Sequence, residues 1–141
     1  MEEYKFIYPI QVRYGDLDAQ WHVNNARFLT FLEQARFAYL VELGIFDGSN
    51  FLEVPFIVAD IHVAYLAPIH LTQKIEVRMR VGKMGNKSLR TDYLIVDSNT
   101  GQELASAEIV MVAYDYHTRQ SMPIADSWRK AILDYEGRSL S

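Results

Sequence analysis

The 141-residue chain contains no cysteine. That absence removes disulfides, thiolate metal sites and a thiol nucleophile from consideration. No apolar run approaches the ~20 residues that a membrane-spanning helix needs. A surplus of basic charge is also missing: 14 Lys and Arg stand against 18 Asp and Glu, a net charge of −4. Nothing here favours a nucleic-acid backbone as partner. Prolines are few, and there is no repeat, low-complexity tract or Gly/Ser-rich linker, so residues 1–141 read as a single domain. The N-terminus, Met1-Glu2-Glu3-Tyr4-Lys5, is acidic and lacks the apolar core of a signal peptide. A soluble cytoplasmic protein is expected. There is no Gly-x-Ser-x-Gly elbow and no Gly-rich phosphate loop. His62, His70 and His117 lack metal-ligand spacing and read as structural or surface groups. No metal or cofactor is expected.

Half of the residues are hydrophobic, enough for a core. Phe6, Tyr8, Ile10, Val12 and Tyr14 alternate with mostly polar neighbours and predict a strand over 6–14. Residues 26–43 predict a helix, with Phe28, Phe31, Leu32, Ala35, Ala38, Tyr39 and Leu43 at three- and four-residue spacing. Leu29, Phe37, Leu40 and Val41 make it apolar on nearly every face, which predicts a buried helix. Arg27, Thr30, Glu33 and Gln34 form its narrow polar strip. Asn24 or Asn25 can cap its start, and Gly44 suits its end. Four strands follow, at 56–66, 75–81, 88–97 and 102–115, separated by turns at 82–86 and 98–101. The last would extend on the order of 45 Å at ~3.3 Å per residue, long enough to curl. After Pro123, residues 124–135 predict an amphipathic helix with Trp128, Ile132 and Tyr135 on one side. The expected fold is α+β, a curved antiparallel sheet wrapped around one long central helix. Uncovered sheet surface and edges favour a homo-oligomer.

The densest polar chemistry lies between the first strand and the helix, in Asp16-Leu17-Asp18-Ala19-Gln20-Trp21-His22-Val23-Asn24-Asn25. Such groups are costly to bury unless paired. A helix start offers free N–H donors and favours negative charge. A carboxylate beside those donors suits acyl chemistry, with Asp18 as base or nucleophile. Asp16 is expected to hold the loop. Glu33 is expected to pair with Arg36 or Arg27. Lys83, Lys87 and Arg90 cluster at a hairpin, as a solvated turn or as phosphate contacts.

Taken together, Arg13-Tyr14-Gly15-Asp16-Leu17-Asp18, His22-Val23-Asn24-Asn25, the helix with Phe31, Glu33, Ala35 and Arg36, and the strand end with Tyr65 and Pro68 carry a resemblance. The chain resembles the hotdog-fold acyl-CoA thioesterases of the 4-hydroxybenzoyl-CoA thioesterase type, over nearly its whole length. The resemblance implies hydrolysis of an acyl-CoA thioester at a site shared between subunits of a dimer, or of a homotetramer built from dimers. It implies that Asp18 is the catalytic carboxylate and that the backbone N–H near Asn25 polarises the thioester carbonyl. His22 and Asn24 would assist positioning, while Lys87 and Ser88 would contact CoA. The segment 19–25 is poorer in Gly and Pro than in the 4-hydroxybenzoyl-specific members and looks more like the branch with broad or fatty acyl substrates. Three alternatives are a carrier-protein thioesterase, a hotdog hydratase or dehydratase, and a non-catalytic acyl-CoA-binding module. The hydratase motif places Asp five residues before His and includes Asn-Pro. Here Asp18 and Asp16 stand four and six residues before His22, with no Pro between.

Overall fold

A computed structural model describes residues 4–50 and 54–140. Residues 1–3 of the acidic N-terminus lie outside this range. The chain runs through β1 (Phe6–Gln11), a short 3-10 turn (Tyr14–Asp16), α1 (Asn25–Glu42), β2 (Phe56–Tyr65), β3 (Lys74–Met84), β4 (Ser88–Asp97), β5 (Glu103–Asp115), β6 (Gln120–Ser121) and α2 (Asp126–Glu136). The sheet order is β1-β3-β4-β5-β2, antiparallel throughout, with the two-residue β6 beside β5. β1 and β2 are therefore the two outer strands of the main path. This is the α+β hotdog architecture.

Alternation decides which face is buried. Ile75, Val77, Met79 and Val81 on β3, with Leu89, Thr91, Tyr93 and Ile95 on β4, are buried. So are Ala105, Ala107, Ile109, Met111 and Ala113 on β5. They share one core with Phe28, Phe31, Leu32, Ala35, Tyr39 and Leu40 of α1. Two polar side chains are satisfied inside it. Thr91 Oγ1 lies 2.8 Å from the Tyr93 hydroxyl and 2.9 Å from the Ile109 carbonyl. Burial pushes the Tyr93 phenol up, and the neighbouring Arg36 guanidinium opposes that shift. Arg36 also meets Glu33 at 3.7 Å, the expected ion pair.

Three expectations need correction. β1 ends at Gln11, not Tyr14. The Asp16 carboxylate accepts the Arg13 N–H at 2.9 Å and draws the chain into the 3-10 turn, leaving Tyr14 exposed. The α1 helix is not buried all round. The sheet covers one face, whereas Leu29 and Val41 are exposed beside Thr30, Glu33 and Gln34. The short β6 is an addition to the expected elements, since two residues carry no readable period. The helix ends follow local rules. Asn24 Oδ1 accepts the Ala26 N–H at 2.8 Å, and Gly44 sits at φ +74 beyond the last turn. The second helix packs as expected, with Ile132 buried and Trp128 against Phe56. Among the described residues no helix is long and apolar enough to cross a membrane.

Candidate active site

Leu17 and Val23 bridge across a small hairpin that presents the residues between them. Its closure uses the Asp18 N–H to the His22 carbonyl at 2.8 Å and the Trp21 N–H to the Asp18 carbonyl at 3.0 Å. The Asp18 side chain reinforces the turn, because Oδ1 accepts from Gln20 N–H at 2.8 Å and His22 N–H at 3.4 Å. Oδ2 has no partner among the described residues. Asp18 is exposed, so one carboxylate oxygen is anchored and the other is open to solvent. Asp16 differs in kind. It is buried, with Arg13 at 3.3 Å and Arg27 at 3.7 Å, and it holds the loop.

The hairpin is fixed to the helix and to the segment before β3. Asn24 N–H donates to the Asp16 carbonyl at 2.8 Å, and Val23 N–H to the Ile69 carbonyl at 2.8 Å. At the helix start the Arg27 N–H reaches the Asn24 carbonyl at 2.8 Å, and Ala26 N–H is capped by Asn24 Oδ1. Among the described residues no acceptor meets the Asn25 N–H. It is the spare donor that a helix N-terminus leaves.

Asp18, His22, Asn24 and Asn25 line one cavity of about 490 Å³, with Gln20, Phe28 and Tyr65 also on its wall. Two aromatic neighbours of this cluster are not among the expected site residues, although Tyr65 belongs to the strand end that carries the resemblance. Tyr65 donates its hydroxyl to the Asn25 carbonyl at 3.1 Å and meets the Phe28 ring edge-on at 5.0 Å. His70 meets the His22 ring edge-on at 5.0 Å. Tyr65 ends a mostly apolar strand, and nothing local announces that its hydroxyl reaches the helix start. His70 reaches His22 only through the Val23–Ile69 bridge.

Lys87 and Ser88 are not part of this cavity. They sit at the β3–β4 hairpin, where Ser88 pairs with Val112, and Val112 in turn pairs with Ile57. Ile57 lies near the start of β2 and Tyr65 at its end. At ~3.3 Å per residue the two places are roughly 26 Å apart within one chain.

A long helix packed by one face against an antiparallel sheet, with its N-terminus at a polar cavity, defines the hotdog class of thioesterase-like proteins. The chain belongs to the Thioesterase-like superfamily, whose family profile matches residues 12–132. The long-chain acyl-CoA thioesterase FadM of Escherichia coli K12 is 30% identical over 123 residues, which span 87% of this chain and 93% of that protein. The acyl-CoA thioester hydrolase YbgC of Escherichia coli O6:H1 is 31% identical over 111 residues, 78% of this chain and 82% of the relative. Among solved structures, a Thermus thermophilus thioesterase complexed with coenzyme A and Zn superposes with a TM-score of 0.86. It is 33% identical, covering 99% of this chain and 100% of that one.

Proposed function

We propose that this protein hydrolyses acyl-CoA thioesters to free acid and CoA. The observation that carries the reading is the pairing, in one cavity, of a carboxylate with an open oxygen (Asp18) and an unengaged helix N–H (Asn25). The names of the relatives support the same substrate class. Asp18 Oδ2 takes a proton from water, and the water oxygen bonds to the thioester carbon. The negative charge that develops on the carbonyl oxygen is met by the Asn25 N–H, a contribution typically worth ~3 kcal/mol per donor. Collapse of the tetrahedral species breaks the C–S bond. The departing thiolate derives from a thiol of pKa near ~8.5 by analogy with cysteine, so it leaves without a strong acid. Attack by Asp18 itself, through a mixed anhydride that water then opens, is the covalent variant. His22 and Asn24 position the water and the helix start. The scheme calls on no metal or cofactor. A cytoplasmic location fits a CoA thioester as substrate.

The proposed working form is a homo-oligomer, a dimer or a tetramer of dimers. β2 is an outer strand, with Val58, Ile61 and Tyr65 exposed. Two such edges pairing antiparallel about a two-fold axis extend the sheet and bury them. The same pairing brings the Ile57 end of one β2 toward the Tyr65 end of the other. Lys87 and Ser88 of the partner subunit then approach the Asp18 cavity, within reach of a CoA bound across the interface.

The test is steady-state CoA release, followed with a thiol reagent over short, medium, long-chain and aromatic acyl-CoAs. The expected result is turnover on at least one class and a loss of at least about a hundredfold in Asp18→Asn with the oligomer intact. Full activity in Asp18→Asn, or no turnover on any member, would overturn the mechanism.

A further inference from the structure

The spare Asn25 N–H is useful only if it is held still. Electrostatic stabilisation of an oxyanion depends on a donor already aimed before charge develops. The first turn of α1 has few constraints of its own, since helix ends fray. Here the peptide that follows Asn25 is pinned at both ends. Its N–H, on Ala26, is taken by Asn24 Oδ1 at 2.8 Å. Its carbonyl oxygen, on Asn25, accepts the Tyr65 hydroxyl at 3.1 Å. Tyr65 belongs to the end of β2, forty residues along the chain, so this bond fixes the helix start to the sheet across the cavity. The ring is held in turn by edge-on contact with Phe28, one helical turn beyond the cap.

We propose that Tyr65 is a positioning residue for the oxyanion donor, acting through the Asn25 carbonyl. The proposal rests on the reading of the site given above. Its role differs from packing, because a phenylalanine at position 65 keeps the Phe28 contact and loses only the hydroxyl. It differs from substrate binding, because loss of a substrate contact would raise KM rather than lower kcat.

The experiment compares wild type, Tyr65→Phe and Asp18→Asn in two measurements. The first is kcat and KM on the best acyl-CoA of the panel. Tyr65→Phe is expected to lose about tenfold in kcat with KM within about twofold, less than the ~100-fold that outright loss of an oxyanion donor costs. The second is the ¹H–¹⁵N spectrum of the free protein. The Ala26 amide shares its peptide with the Asn25 carbonyl, so its resonance is expected to move upfield in Tyr65→Phe while distant amides stay in place. An unchanged kcat, a rise in KM alone, or an unmoved Ala26 amide would overturn the proposal. A fully active Asp18→Asn would instead overturn the reading of the site, and the Ala26 amide would still report on the Tyr65 hydrogen bond.

Discussion

Trp21 is held at φ +65, in the left-handed region that bulky residues avoid. The backbone of the hairpin requires that conformation, since the chain must turn sharply enough for Asp18 and His22 to bond. The Trp21 ring gives little in return. It is 64% exposed and touches the still more exposed Tyr14 edge-on, with centroids 6.2 Å apart. A left-handed residue with a side chain costs roughly 1–2 kcal/mol, and glycine escapes that cost. Trp21→Gly is therefore expected to match or exceed wild type in urea unfolding. Trp21→Val is expected to fall below wild type, because branching at Cβ makes the left-handed region harder to adopt than it already is for Trp. Equal damage from both substitutions would mean that the ring contact, rather than the backbone, governs the turn. The motif around Trp21 contains the four expected site residues that line the candidate cavity. Asp18, His22, Asn24 and Asn25 are close in sequence and belong to one short hairpin and cap, so they had to share a locale. That Asp16 turns inward and Asp18 outward is also readable from the roles expected of each.

Helix α2 is joined to the core by a buried carboxylate as well as by Ile132 and Trp128. Glu136 is buried and accepts the Tyr39 hydroxyl at 2.6 Å and the Val81 N–H at 3.0 Å. Burial, reinforced by that carboxylate, pushes the Tyr39 phenol far up, so it remains a donor at any ordinary pH. Glu136→Ala strands both donors and is expected to cost about 2–4 kcal/mol, against about 1 kcal/mol for Tyr39→Phe, which leaves the Val81 bond intact. Chemical denaturation of the two variants and their double mutant measures the difference. The β4–β5 turn carries a pH-dependent counterpart. The Gln73 amide, with the Asn99 and Thr100 N–H groups, holds the Asp97 carboxyl below its usual range. A depressed folded value means stability that is present above the unfolded value near ~4 and lost as pH falls through the folded one. Thermal melts of Asp97→Asn are expected to decline less steeply than wild type below about pH 4. An equal decline would remove Asp97 from the acid response. These tertiary bonds also mark the limit of what periodicity reveals. Strands β2 to β5 and both helices are legible because apolar runs, alternation, turn residues and three-to-four spacing are local. The strand order, the bond from Tyr65 to the Asn25 carbonyl and the meeting of His22 with His70 depend on register between distant segments, which no window of sequence contains.

The separation of Lys87 and Ser88 from Asp18 becomes a statement about assembly. Both sets of residues belong to one reading of the chemistry, yet roughly 26 Å of strand lies between them in a single chain. A lone chain also leaves the outer edge of β2 open, with Val58, Ile61 and Tyr65 exposed, and leaves Leu29 and Val41 uncovered on α1. An edge of that kind invites pairing, and natural proteins that remain monomeric block it with charge, proline or a bulge. β2 has a register shift between Val58 and Asp60 but continues to Tyr65 beyond it. The proposed antiparallel pairing of two copies would cover the open edge and would bring the partner's hairpin toward the Asp18 cavity. Ile61 lies near the middle of the strand, where each copy would face its own symmetry mate. Ile61→Lys sets like charges against each other there, which destabilises cross-strand pairs. Because Ile61 is 44% exposed in the single chain, the substitution is expected to spare the fold. Light scattering should then report a monomer with a wild-type far-UV spectrum, and CoA release should fall with it. If Ile61→Lys remained an oligomer, the β2 edge would not be the interface. A fully active monomer would mean that Asp18 and the Asn25 N–H suffice within one chain, and the CoA contacts assigned to Lys87 and Ser88 would have to be sought elsewhere.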